Sequence, residues 1–470
     1  MRSAYDVAQV RAAEQQLLDR LPAGSLMQRA ATGLAATCAH LLGRVYGSRV
    51  LLLVGSGNNG GDALFAGALL ARRGALVHAL LLADRAHESG LDAFRRSCGR
   101  VVEQAPAAVD LVVDGILGIG GRGGLDDRAA AVLAAIPREA WVVAVDVPSG
   151  VDASTGEIDG VAVEADVTVT FGALKPGLLV DPGAGHAGVV ELVDIGLDLP
   201  TATTQVLRAE DVAALLPRAG RESDKYRRGV VGVAAGSQQY TGAAVLCTGG
   251  ALLGGAGMVR YVGDDAPAAL VRQRWPEVVV GEGRVQAWAV GSGGGADAAG
   301  RLRRAMADGV PVVLDADALP AYAEQHSADV PALLTPHAGE LGRLLDVDRA
   351  DVEARRLHHA SQAAHDLGAV VLLKGSTTVI SHPDGRIRVN PTGTPALATA
   401  GSGDVLAGLC GALLAGGLDP FDAGAVGAWL HGLAGRLAAE GGRLVSAGNV
   451  LAALPRAVAA VFGDSGKLPG

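Results

Sequence analysis

Short apolar runs of β type alternate with helical patterns through the first half of the chain. Unbroken Val- and Leu-rich runs of this kind, separated by helices, are typical of a parallel sheet that is covered on both faces. The pattern therefore predicts an α/β domain whose strands lie in RVLLLVGSG, ALVHALLLA, DLVVDGILG, WVVAVDVPSG, DVTVTFGA and GVVELVDIG.

The alternation is interrupted between Asp198 and Arg221, where a polar, Thr-rich stretch precedes one short helix. The turn motifs on the two sides of this stretch differ and no fixed period recurs, so the halves are not repeats of each other. We therefore predict two different α/β domains, residues 1–205 and 206–470. The strands of the second domain are expected in GVVGVAAGS, AWAVGSGGG, PVVLDADAL, ALLTPHAGE, AVVLLKGSTTVIS and RIRVN.

Charge and composition limit the classes of partner. The 470 residues carry a formal net charge of −9 and contain no basic tract, which argues against nucleic acid and anionic membranes. The hydrophobic content of 49% is ordinary for a folded soluble protein. Small molecules are therefore the expected ligands.

The cysteines and the first residues indicate a compartment. The opening segment carries charges throughout and has no apolar core of a signal peptide, and the most apolar later run, Val405–Leu418, is shorter than a membrane span. We therefore expect a cytoplasmic protein with reduced thiols. The scattered cysteines, of which no pair has metal-ligand or redox spacing, are Cys38, Cys98, Cys247 and Cys410.

Lysine is rare among the 40 basic residues of the chain. Because lysine offers a compact point charge for phosphate that arginine does not fully replace, three lysines in glycine-containing motifs become candidate phosphate contacts. These are Lys175, Lys225 and Lys374.

Polar side chains follow three of the predicted strands of the first half, those in RVLLLVGSG, DLVVDGILG and WVVAVDVPSG. Asn58, Asn59 and Asp62 lie in a glycine-rich loop that lacks the G-x-G-x-x-G spacing of dinucleotide-binding turns. Their side-chain oxygens can coordinate a cation or contact a ligand, and the alternative is a tight Asx-type turn. Asp114 ends the next such run, and Asp146 and Ser149 end the third. Because ligands collect beyond the carboxyl ends of parallel strands, these groups predict a binding cleft.

The motifs GNNGGDA, DGILGIGGRG, DVPSGVDASTGE and FGALKPGL resemble those of the NAD(P)H-hydrate epimerase family, over roughly residues 1 to 200. The resemblance implies a Rossmann-like three-layer domain with Asp146 as a catalytic residue in the substrate site. It also implies a potassium ion held by Asn59, Asp114 and Ser149. The residues that would surround the hydrated nicotinamide nucleotide, besides Asp146, are Asn58, Asn59, Gly60, Gly61, Asp62, Gly118, Ile119, Gly120, Gly121, Arg122, Gly123 and Gly124.

In the second half, TAGSGDVLAGLCGALLAGG places one aspartate, Asp404, between a glycine turn and a long apolar helix. The backbone N–H groups of such a turn can hold an anion such as phosphate. Asp404 either caps the helix, a position in which Asp is favoured, or performs a chemical task, and the pattern alone leaves both open.

Two other residues of the second half carry possible chemistry. Lys374 follows an apolar strand and precedes small hydroxyl residues, which suits a nucleotide phosphate. A buried lysine without a partner would be costly, so we expect it to have one. His337 lies on a turn into a helix, where it is either a helix-start residue or a catalyst.

These segments, with SDKYRRGVVGVAAGSQQYTG, resemble the ADP- or ATP-dependent NAD(P)H-hydrate dehydratases over about residues 206 to 465. The resemblance implies a ribokinase-like fold, with Mg²⁺ beside the nucleotide and Asp404 taking the proton from the attacking hydroxyl. It assigns substrate contacts to Ala243, Gly293, His337 and Asp404. It assigns the adenine nucleotide to Lys374, Gly375, Ser376, Thr377, Thr378 and Gly403.

Together the two resemblances imply a fused enzyme of nicotinamide nucleotide repair. The first domain would interconvert the R and S epimers of NADHX and NADPHX, and the second would dehydrate the S epimer to NAD(P)H while ADP gives AMP and phosphate. ADP is favoured over ATP because bacterial relatives of this fused architecture use it, and the preference for NADHX or NADPHX stays open. We also expect a homo-oligomer.

Two other functions are compatible with parts of the sequence. A kinase that stops after phosphorylating a vitamin-like alcohol would share the GSGD turn, but it would not need the fused first domain. A scaffold that only binds nucleotide would not need Asp404 and Lys374. Both alternatives are therefore less favoured than the repair enzyme.

Overall fold

The computed structural model describes residues 1–121, 123–218, 220–325 and 329–463. Contacts divide the chain into two compact units, one of Ser3–Thr203 and one of Met1–Arg2 together with the chain from Thr204 onward. Each unit contains a sheet and helices, which confirms the two α/β domains. Among the described residues, no helix is both long and apolar enough to cross a membrane. All four cysteines are free thiols.

The first unit contains all six strands that the apolar runs predict. In chain order, the elements up to residue 203 are β1 (Arg2–Ala4), α1 (Val7–Leu18), α2 (Ser25–Leu42), β2 (Arg49–Val54), α3 (Asn58–Arg72), β3 (Leu76–Leu81), α4 (Glu88–Arg96), β4 (Arg100–Val102), β5 (Leu111–Gly115), α5 (Asp127–Ala134), β6 (Trp141–Val145), β7 (Val167–Phe171), a 3₁₀ turn (Pro176–Leu178), α6 (Gly183–Ala187) and β8 (Val189–Val193).

The seven strands of the first unit are parallel and lie in the order β4-β3-β2-β5-β6-β7-β8. Apolar side chains are buried on both faces of this sheet. The direction of the chain order reverses between β2 and β5, and ligands of such sheets bind beyond the carboxyl ends of the strands at this switch point. Asn58 and Asp114 follow or end these two strands, so the topology places them at the expected cleft.

The second unit contains the remaining strands in one larger sheet. In chain order, its elements are β9 (Thr204–Val206), α7 (Ala209–Leu215), β10 (Val230–Ala234), α8 (Thr241–Leu253), β11 (Met258–Tyr261), α9 (Asp265–Arg274), β12 (Val279–Val280), β13 (Ala287–Val290), a 3₁₀ turn (Gly295–Asp297), α10 (Ala298–Ala307), β14 (Val312–Leu314), α11 (Ala318–Gln325), β15 (Ala332–Leu334), α12 (Ala338–Leu345), α13 (Arg349–Ala354), α14 (Arg356–Leu367), β16 (Val370–Leu373), β17 (Val379–Ser381), β18 (Ile387–Val389), a 3₁₀ turn (Pro395–Leu397), α15 (Ser402–Ala415), α16 (Pro420–Ala439) and α17 (Ala447–Ala460).

This 11-stranded sheet has the order β1-β9-β18-β17-β16-β15-β14-β13-β10-β11-β12. Neighbouring strands from β16 to β12 are parallel, whereas β17 is antiparallel to β16 and to β18. The run AVVLLKGSTTVIS forms two strands of a hairpin: β16 before Lys374, as the sequence predicts, and β17 after the hydroxyl residues. The Gly-Ser sequence after Lys374 permits this turn, which leaves residues 374–378 at the hairpin end.

Helices α8 and α15 lie backbone to backbone in the second unit. A Cβ at Gly250 would clash with the carbonyl of Val405, and one at Gly408 would clash with that of Cys247. Glycine has no Cβ, so the helices approach more closely than other residues would permit. This packing holds the start of α15, which carries Asp404, against α8.

Candidate active sites

The N-terminus of α3 lies at the switch point of the first sheet. The sequence pattern predicts Asn58, Asn59 and Asp62 in a loop, but the loop ends at Gly57 and these residues form the first turns of the helix. A Cβ at Gly60 would clash with the backbone before the turn, so glycine lets the strand pass almost directly into the helix.

The start of α3 is open to an anion. Its N-cap residue, Gly57, provides no side-chain cap, and the N–H groups of Asn58, Asn59 and Gly60 have no backbone acceptor among the described residues. Unpaired N–H groups and the helix dipole both favour negative charge at this position. A phosphate of a nucleotide fits this chemistry.

The three residues predicted to hold potassium are brought together beside this helix start. Ser149 Oγ donates to Asp114 Oδ1 at 2.6 Å, and the N–H of Ser149 donates to Asp114 Oδ2 at 2.8 Å. The backbone of Leu117 links them to Asn59: its N–H donates to Ser149 Oγ at 2.8 Å, and its carbonyl accepts from Asn59 Nδ2 at 2.9 Å. The carbonyl of Leu117 is an oxygen of this cluster that the sequence analysis missed, because no side-chain pattern marks it.

The donor chemistry of this cluster fits a hard monovalent cation. Asp114 is fully buried, and burial raises its pKa to about 6 against the hydrogen bonds from Ser149 and Ile116. Among the described residues, no cationic side chain pairs with Asp114, and no group of three or more His, Cys, Asp and Glu side chains is placed to hold a metal. The neighbouring donors are amide, hydroxyl and carbonyl oxygens, which suit an alkali ion better than a transition metal.

Asp146 and Lys175 form a buried ion pair near the same strand ends. Asp146 has a φ of 68°, a left-handed conformation that is uncommon outside glycine and is concentrated at functional sites. Lys175 Nζ donates to Asp146 Oδ1 at 2.5 Å, to Thr170 Oγ1 at 2.8 Å and to the Phe171 carbonyl at 3.0 Å. These bonds use all three N–H donors of the ammonium. The prediction that Lys175 contacts phosphate is therefore wrong, and Lys175 is the counter-charge of Asp146.

Two further carboxyl groups lie within electrostatic range of Asp146. Asp62 is buried and its Oδ1 has no hydrogen-bond partner among the described residues. Burial, Asp146 and Glu14 together raise the pKa of Asp62 well above its ordinary value, and burial and Asp146 likewise raise the pKa of Glu14. Carboxyl groups perturbed in this way are typical of sites that transfer protons. Glu14, which lies on α1, was not marked by any sequence motif.

The glycine loop after β5 lines a cavity of about 130 Å³. Among the predicted contacts, Gly118, Gly121 and Gly123 face this cavity, and a Cβ at Gly118 would lie 2.8 Å from Asn59 Oδ1. Gly124 packs on the backbone of a neighbouring loop. Of the other predicted contacts, Ile119 lies against apolar side chains, Gly120 beside Arg11, and Gly61 beside His87. Arg122 lies outside the described residues.

In the second unit, Asp404 is the third residue of α15 and does not cap it. The N-cap residue is Gly401, with a φ of 88°, and no side chain caps the helix. The N–H groups of Gly403 and Asp404 have no acceptor among the described residues, so the turn keeps the anion-binding capacity that its sequence predicts. Burial and the charge of Asp315 raise the pKa of Asp404 to about 7, although Lys374 opposes them.

Lys374 has the partner that its position after a buried strand requires. Its Nζ donates to Asp315 Oδ1 at 2.8 Å, and Glu340 lies 3.9 Å away. Asp315 also accepts from Ser292 Oγ and Thr335 Oγ1, both at 2.9 Å. Burial opposes charge on both members of the pair, yet their attraction lowers the pKa of Asp315 and raises that of Lys374. The site therefore holds a charged lysine close to Asp404.

His337 is the N-cap residue of α12, as the helix-start alternative predicts. Its Nδ1 accepts from the N–H groups of Gly339 at 3.0 Å and Glu340 at 3.2 Å. Burial and Lys374 lower the pKa of His337, while Glu340 opposes them. Because Nδ1 is an acceptor, the neutral ring carries its proton on Nε2, and half of this side chain remains exposed. His337 therefore caps the helix, and its Nε2 lies 3.3 Å from Glu340 Oε1.

The other predicted dehydratase residues form two neighbouring groups. A Cβ at Gly293 would lie 2.8 Å from Ala243 Cβ, and one at Gly403 would lie 3.3 Å from Lys374 Nζ. Ser292, the neighbour of Gly293, connects the groups through Asp315. The hairpin end after Lys374 carries the remaining predictions: Gly375 and Ser376 are exposed, Thr377 is buried, and the Thr378 carbonyl accepts from the Asn390 N–H at 3.0 Å.

Comparisons with known proteins match the two sites separately. Residues 23–177 match the family model described as YjeF-related protein N-terminus, and residues 231–456 match the model described as NAD(P)H-hydrate dehydratase. A bifunctional NAD(P)H-hydrate repair enzyme of Mycobacterium tuberculosis is 50% identical over 442 residues, with 90% of this chain and 92% of the relative covered.

The chain belongs to the bifunctional NAD(P)H-hydrate repair enzymes. A member of this family from Mycobacterium leprae is 48% identical, with 93% and 94% of the two chains covered, and one from Moorella thermoacetica is 37% identical, with 95% and 96% covered. The family identifies the first unit as the epimerase domain and the second as the dehydratase domain.

Solved structures support the fold of the second unit. An ADP/ATP-dependent NAD(P)H-hydrate dehydratase from Bacillus subtilis, co-crystallised with ATP and Mg²⁺, matches with a TM-score of 0.51 and 30% identity, covering 54% of this chain and 97% of that one. A ribokinase-like protein from Enterococcus faecalis matches with a TM-score of 0.50 and 25% identity, covering 56% and 98%. The predicted ribokinase-like fold is therefore confirmed.

Proposed function

We propose that the second unit dehydrates S-NAD(P)HX with ADP as the phosphoryl donor and that Asp404 is its general base. The observation that carries this proposal is the position of Asp404. The carboxylate lies at the start of α15, beside two unpaired N–H groups and within electrostatic range of the Lys374–Asp315 pair. A base whose pKa is about 7 is well matched to proton transfer at neutral pH.

The proposed reaction has two stages. Asp404 takes the proton of the ring hydroxyl, whose oxygen then attacks the terminal phosphorus of ADP while the bond from phosphorus to the bridging oxygen breaks and AMP leaves. Phosphate is next eliminated from the ring, with loss of a proton from the adjacent carbon, and the dihydropyridine is restored. Lys374 and the N–H groups of Gly403 and Asp404 would stabilise the negative charge that develops on the transferred group.

Magnesium fits the nucleotide side of this site. Mg²⁺ binds proteins through one or two carboxylates together with substrate phosphates, and the carboxylate of Glu340 lies beside Lys374. When bound, Mg²⁺ would neutralise part of the phosphate charge.

For the first unit, we propose epimerisation of R- and S-NAD(P)HX, with Asp146 as a catalytic residue and K⁺ beside Asp114. The N-terminus of α3 would bind phosphate of the nucleotide, and the buried Asp146–Lys175 pair would face the nicotinamide end. The potassium ion would compensate the buried charge of Asp114 and hold the loop at Leu117 in place.

The organisation of the whole protein is also a proposal. The residues assigned to the two activities lie on opposite sides of residue 205, so we propose domains 1–205 and 206–470 that act independently. We also propose that the ligands are small-molecule nucleotides, that the repair of NAD(P)H takes place in the cytoplasm and that the protein is a homo-oligomer. The substrates would be NADHX or NADPHX together with ADP.

Mixed R- and S-NADHX tests the whole proposal. With ADP and Mg²⁺, the full chain should return all of the mixture to NADH, measured as recovery of the reduced-nicotinamide absorbance, with AMP and phosphate in equal amounts. A kinase would yield a phosphorylated product without that absorbance, and a protein that only binds nucleotide would change nothing. If the S epimer were recovered quickly and the R epimer only at the rate of spontaneous epimerisation, the epimerase assignment would be rejected. The dehydratase assignment would stand.

Replacement of Asp114 tests the potassium site. Asp114→Asn keeps the size of the side chain but removes the charge that would hold the ion, so epimerisation should lose its response when K⁺ replaces Na⁺. The rate is measured as conversion of purified R-NADHX. Dehydration of purified S-NADHX by the same variant serves as the control and should be unchanged. If a folded variant kept the wild-type response to K⁺, the ion would not lie at Asp114.

A further inference from the structure

A buried arginine of α10 lies behind the loop that follows β10. Arg301 is only 4% exposed, and arginine is almost never buried to this extent unless it is paired. Its Nη2 donates to Asp264 Oδ1 at 3.0 Å, and its Nε donates to Asp297 Oδ2 at 3.4 Å. Both of these carboxylates are well exposed. None of the reaction steps proposed above uses Arg301.

The third hydrogen bond of Arg301 reaches the backbone of the loop itself. Its Nη1 donates to the carbonyl of Gly236 at 2.6 Å, in a buried position. The preceding carbonyl, that of Ala235, accepts from the hydroxyl of Tyr261 at 2.8 Å. Gly236 has a φ of 76°, a left-handed conformation that glycine adopts without strain. Two successive carbonyls of this loop are therefore held by side chains from β11 and α10.

The same loop is connected to the dehydratase site. The N–H of Gly236 donates to the carbonyl of Ser292 at 2.7 Å, and the hydroxyl of Ser292 donates to Asp315 at 2.9 Å. The chain continues from the loop into α8, where Ala243 packs against Gly293, the other substrate contact in this group that the sequence resemblance implies. A displacement of Gly236 would therefore reach both the charged pair of the site and its predicted substrate contacts.

Arg301 also sets the direction of an N–H group at the front of the loop. The carbonyl and the N–H of a trans peptide lie in one plane and point in opposite directions, so the N–H of Ser237 points away from Arg301. This N–H has no acceptor among the described residues. Ser237 lies beside the glycine loop after β13, since a Cβ at Gly295 would be 3.4 Å from Ser237 Cβ. Backbone N–H groups in turns of this kind bind anions such as phosphate.

We propose that Arg301 is a positioning residue of the dehydratase site: it holds the peptide between Gly236 and Ser237 so that the Ser237 N–H binds the diphosphate of S-NAD(P)HX. ADP is assigned to Lys374 and the turn before α15, so the diphosphate bound at this loop is that of the other substrate. Arg301 acts through the peptide and not by contact with the substrate. This inference rests on the proposed dehydratase function.

Two substitutions separate the geometry of the donor from its charge. Arg301→Met fills part of the same space without any donor. Arg301→Lys keeps a positive charge beside Asp264 and Asp297, but one ammonium does not replace the planar fork that also reaches Gly236. We expect both variants to raise KM for S-NADHX by about 10-fold, the usual effect of losing one hydrogen bond to a charged group. Both kcat and KM for ADP should stay near the wild-type values, as for a loss of uniform substrate binding.

Arg304→Met is the matched control for these variants. Arg304 lies on the same helix and donates to the same carboxylate, Asp297, at 3.3 Å, but its side chain is exposed and makes no bond to the loop among the described residues. KM for S-NADHX should not change in this variant. If Arg301→Lys kept the wild-type KM while Arg301→Met did not, only the charge would matter and the proposed positioning would be wrong.

Hydrogen exchange provides a test on the wild-type protein. Addition of S-NADHX without ADP should slow exchange of the Ser237 N–H, and this protection should be absent in Arg301→Lys. Unchanged exchange at Ser237 in the wild type would overturn the proposed contact. If Arg301→Met does not fold, Arg301→Lys and the exchange measurement decide.

The outcomes also separate this inference from the function on which it rests. Wild-type dehydration of S-NADHX together with an unchanged KM in the Arg301 variants would reject the inference alone. If the wild-type protein did not dehydrate S-NADHX with ADP and Mg²⁺, the proposed function would be rejected, and the role of Arg301 with it.

Discussion

Asp404→Asn should lower the rate of dehydration by about 10²–10⁴-fold, the range for loss of a general base. Asparagine keeps the size of the side chain but cannot accept the proton of the substrate hydroxyl. Affinity for ADP should stay near that of the wild type, because the N–H groups of the turn remain and one negative charge is removed. Epimerisation should not change, since its residues belong to the other unit.

The control for this prediction is Asp384→Asn, which makes the same change of charge on the exposed turn between β17 and β18. It should leave both activities intact. If the charge of Asp404 only stabilised the start of the helix, asparagine would cost about 0.3–1 kcal/mol of stability and leave the dehydration rate almost intact. An Asp404→Asn variant with more than about a tenth of the wild-type rate would therefore remove Asp404 from the role of base.

The pH dependence of dehydration is an independent test of Asp404 as the general base. A base acts only when it is deprotonated, so kcat/KM for dehydration should rise with pH, pass through half its limit near the pKa of about 7, and level off above it. The residual activity of Asp404→Asn should lack this rise. A wild-type profile that is flat across neutral pH would contradict the assignment.

Lys175→Met should destabilise the first unit by about 3–5 kcal/mol, the usual effect of removing one partner from a buried ion pair. Lys175 is 1% exposed and supplies the only cation bound to Asp146 among the described residues. Its removal leaves a carboxylate buried without a counter-charge. Thermal unfolding of the first unit should therefore occur at a lower temperature, and epimerisation should be lost.

A double substitution shows whether the charge is the cause. Lys175→Met combined with Asp146→Asn removes both charges, so part of the lost stability should return while epimerisation stays absent. Lys225→Met, at an exposed lysine of the second unit, is the matched control and should leave the first unit unaffected. If Lys175→Met unfolded at the wild-type temperature, the pair would not be an important source of stability. If this variant also kept full epimerase activity, the activity would not depend on the ion pair between Lys175 and Asp146.

The strands and the general location of both sites follow from local patterns in the sequence. Runs such as Arg49–Val54 and Leu111–Gly115 become buried parallel strands because only a sheet covered on both faces can use unbroken apolar segments. Since parallel strands end at one edge, the polar residues after them meet there, as Asp114 and Ser149 do. The glycine turn before α15 was likewise visible, because glycine there is a local requirement of the backbone.

The boundaries of elements at short turns could not be predicted from the sequence. Asn58 begins a helix and not a loop, and the residues after Lys374 turn back into a second, antiparallel strand. Propensities of single residues are weak next to the packing of the whole element. A close approach between glycine and backbone, that of Gly60 to the carbonyl of Gly55, lets α3 begin almost directly after its strand.

The sequence by itself determined the apolar strands of both sheets, which ends of them carry polar groups and which turns can bind an anion, because each depends on neighbours along the chain. The strands β1, β4, β9, β11 and β12 lie in none of the predicted runs. Only the tertiary structure decided the partners of the buried charges: Lys175 with Asp146 and Lys374 with Asp315. The residues of each pair are far apart in sequence or separated by a turn, so no spacing encodes their contact. They pair because burial makes an uncompensated charge or an unpaired polar group costly, and burial is a property of the folded chain alone.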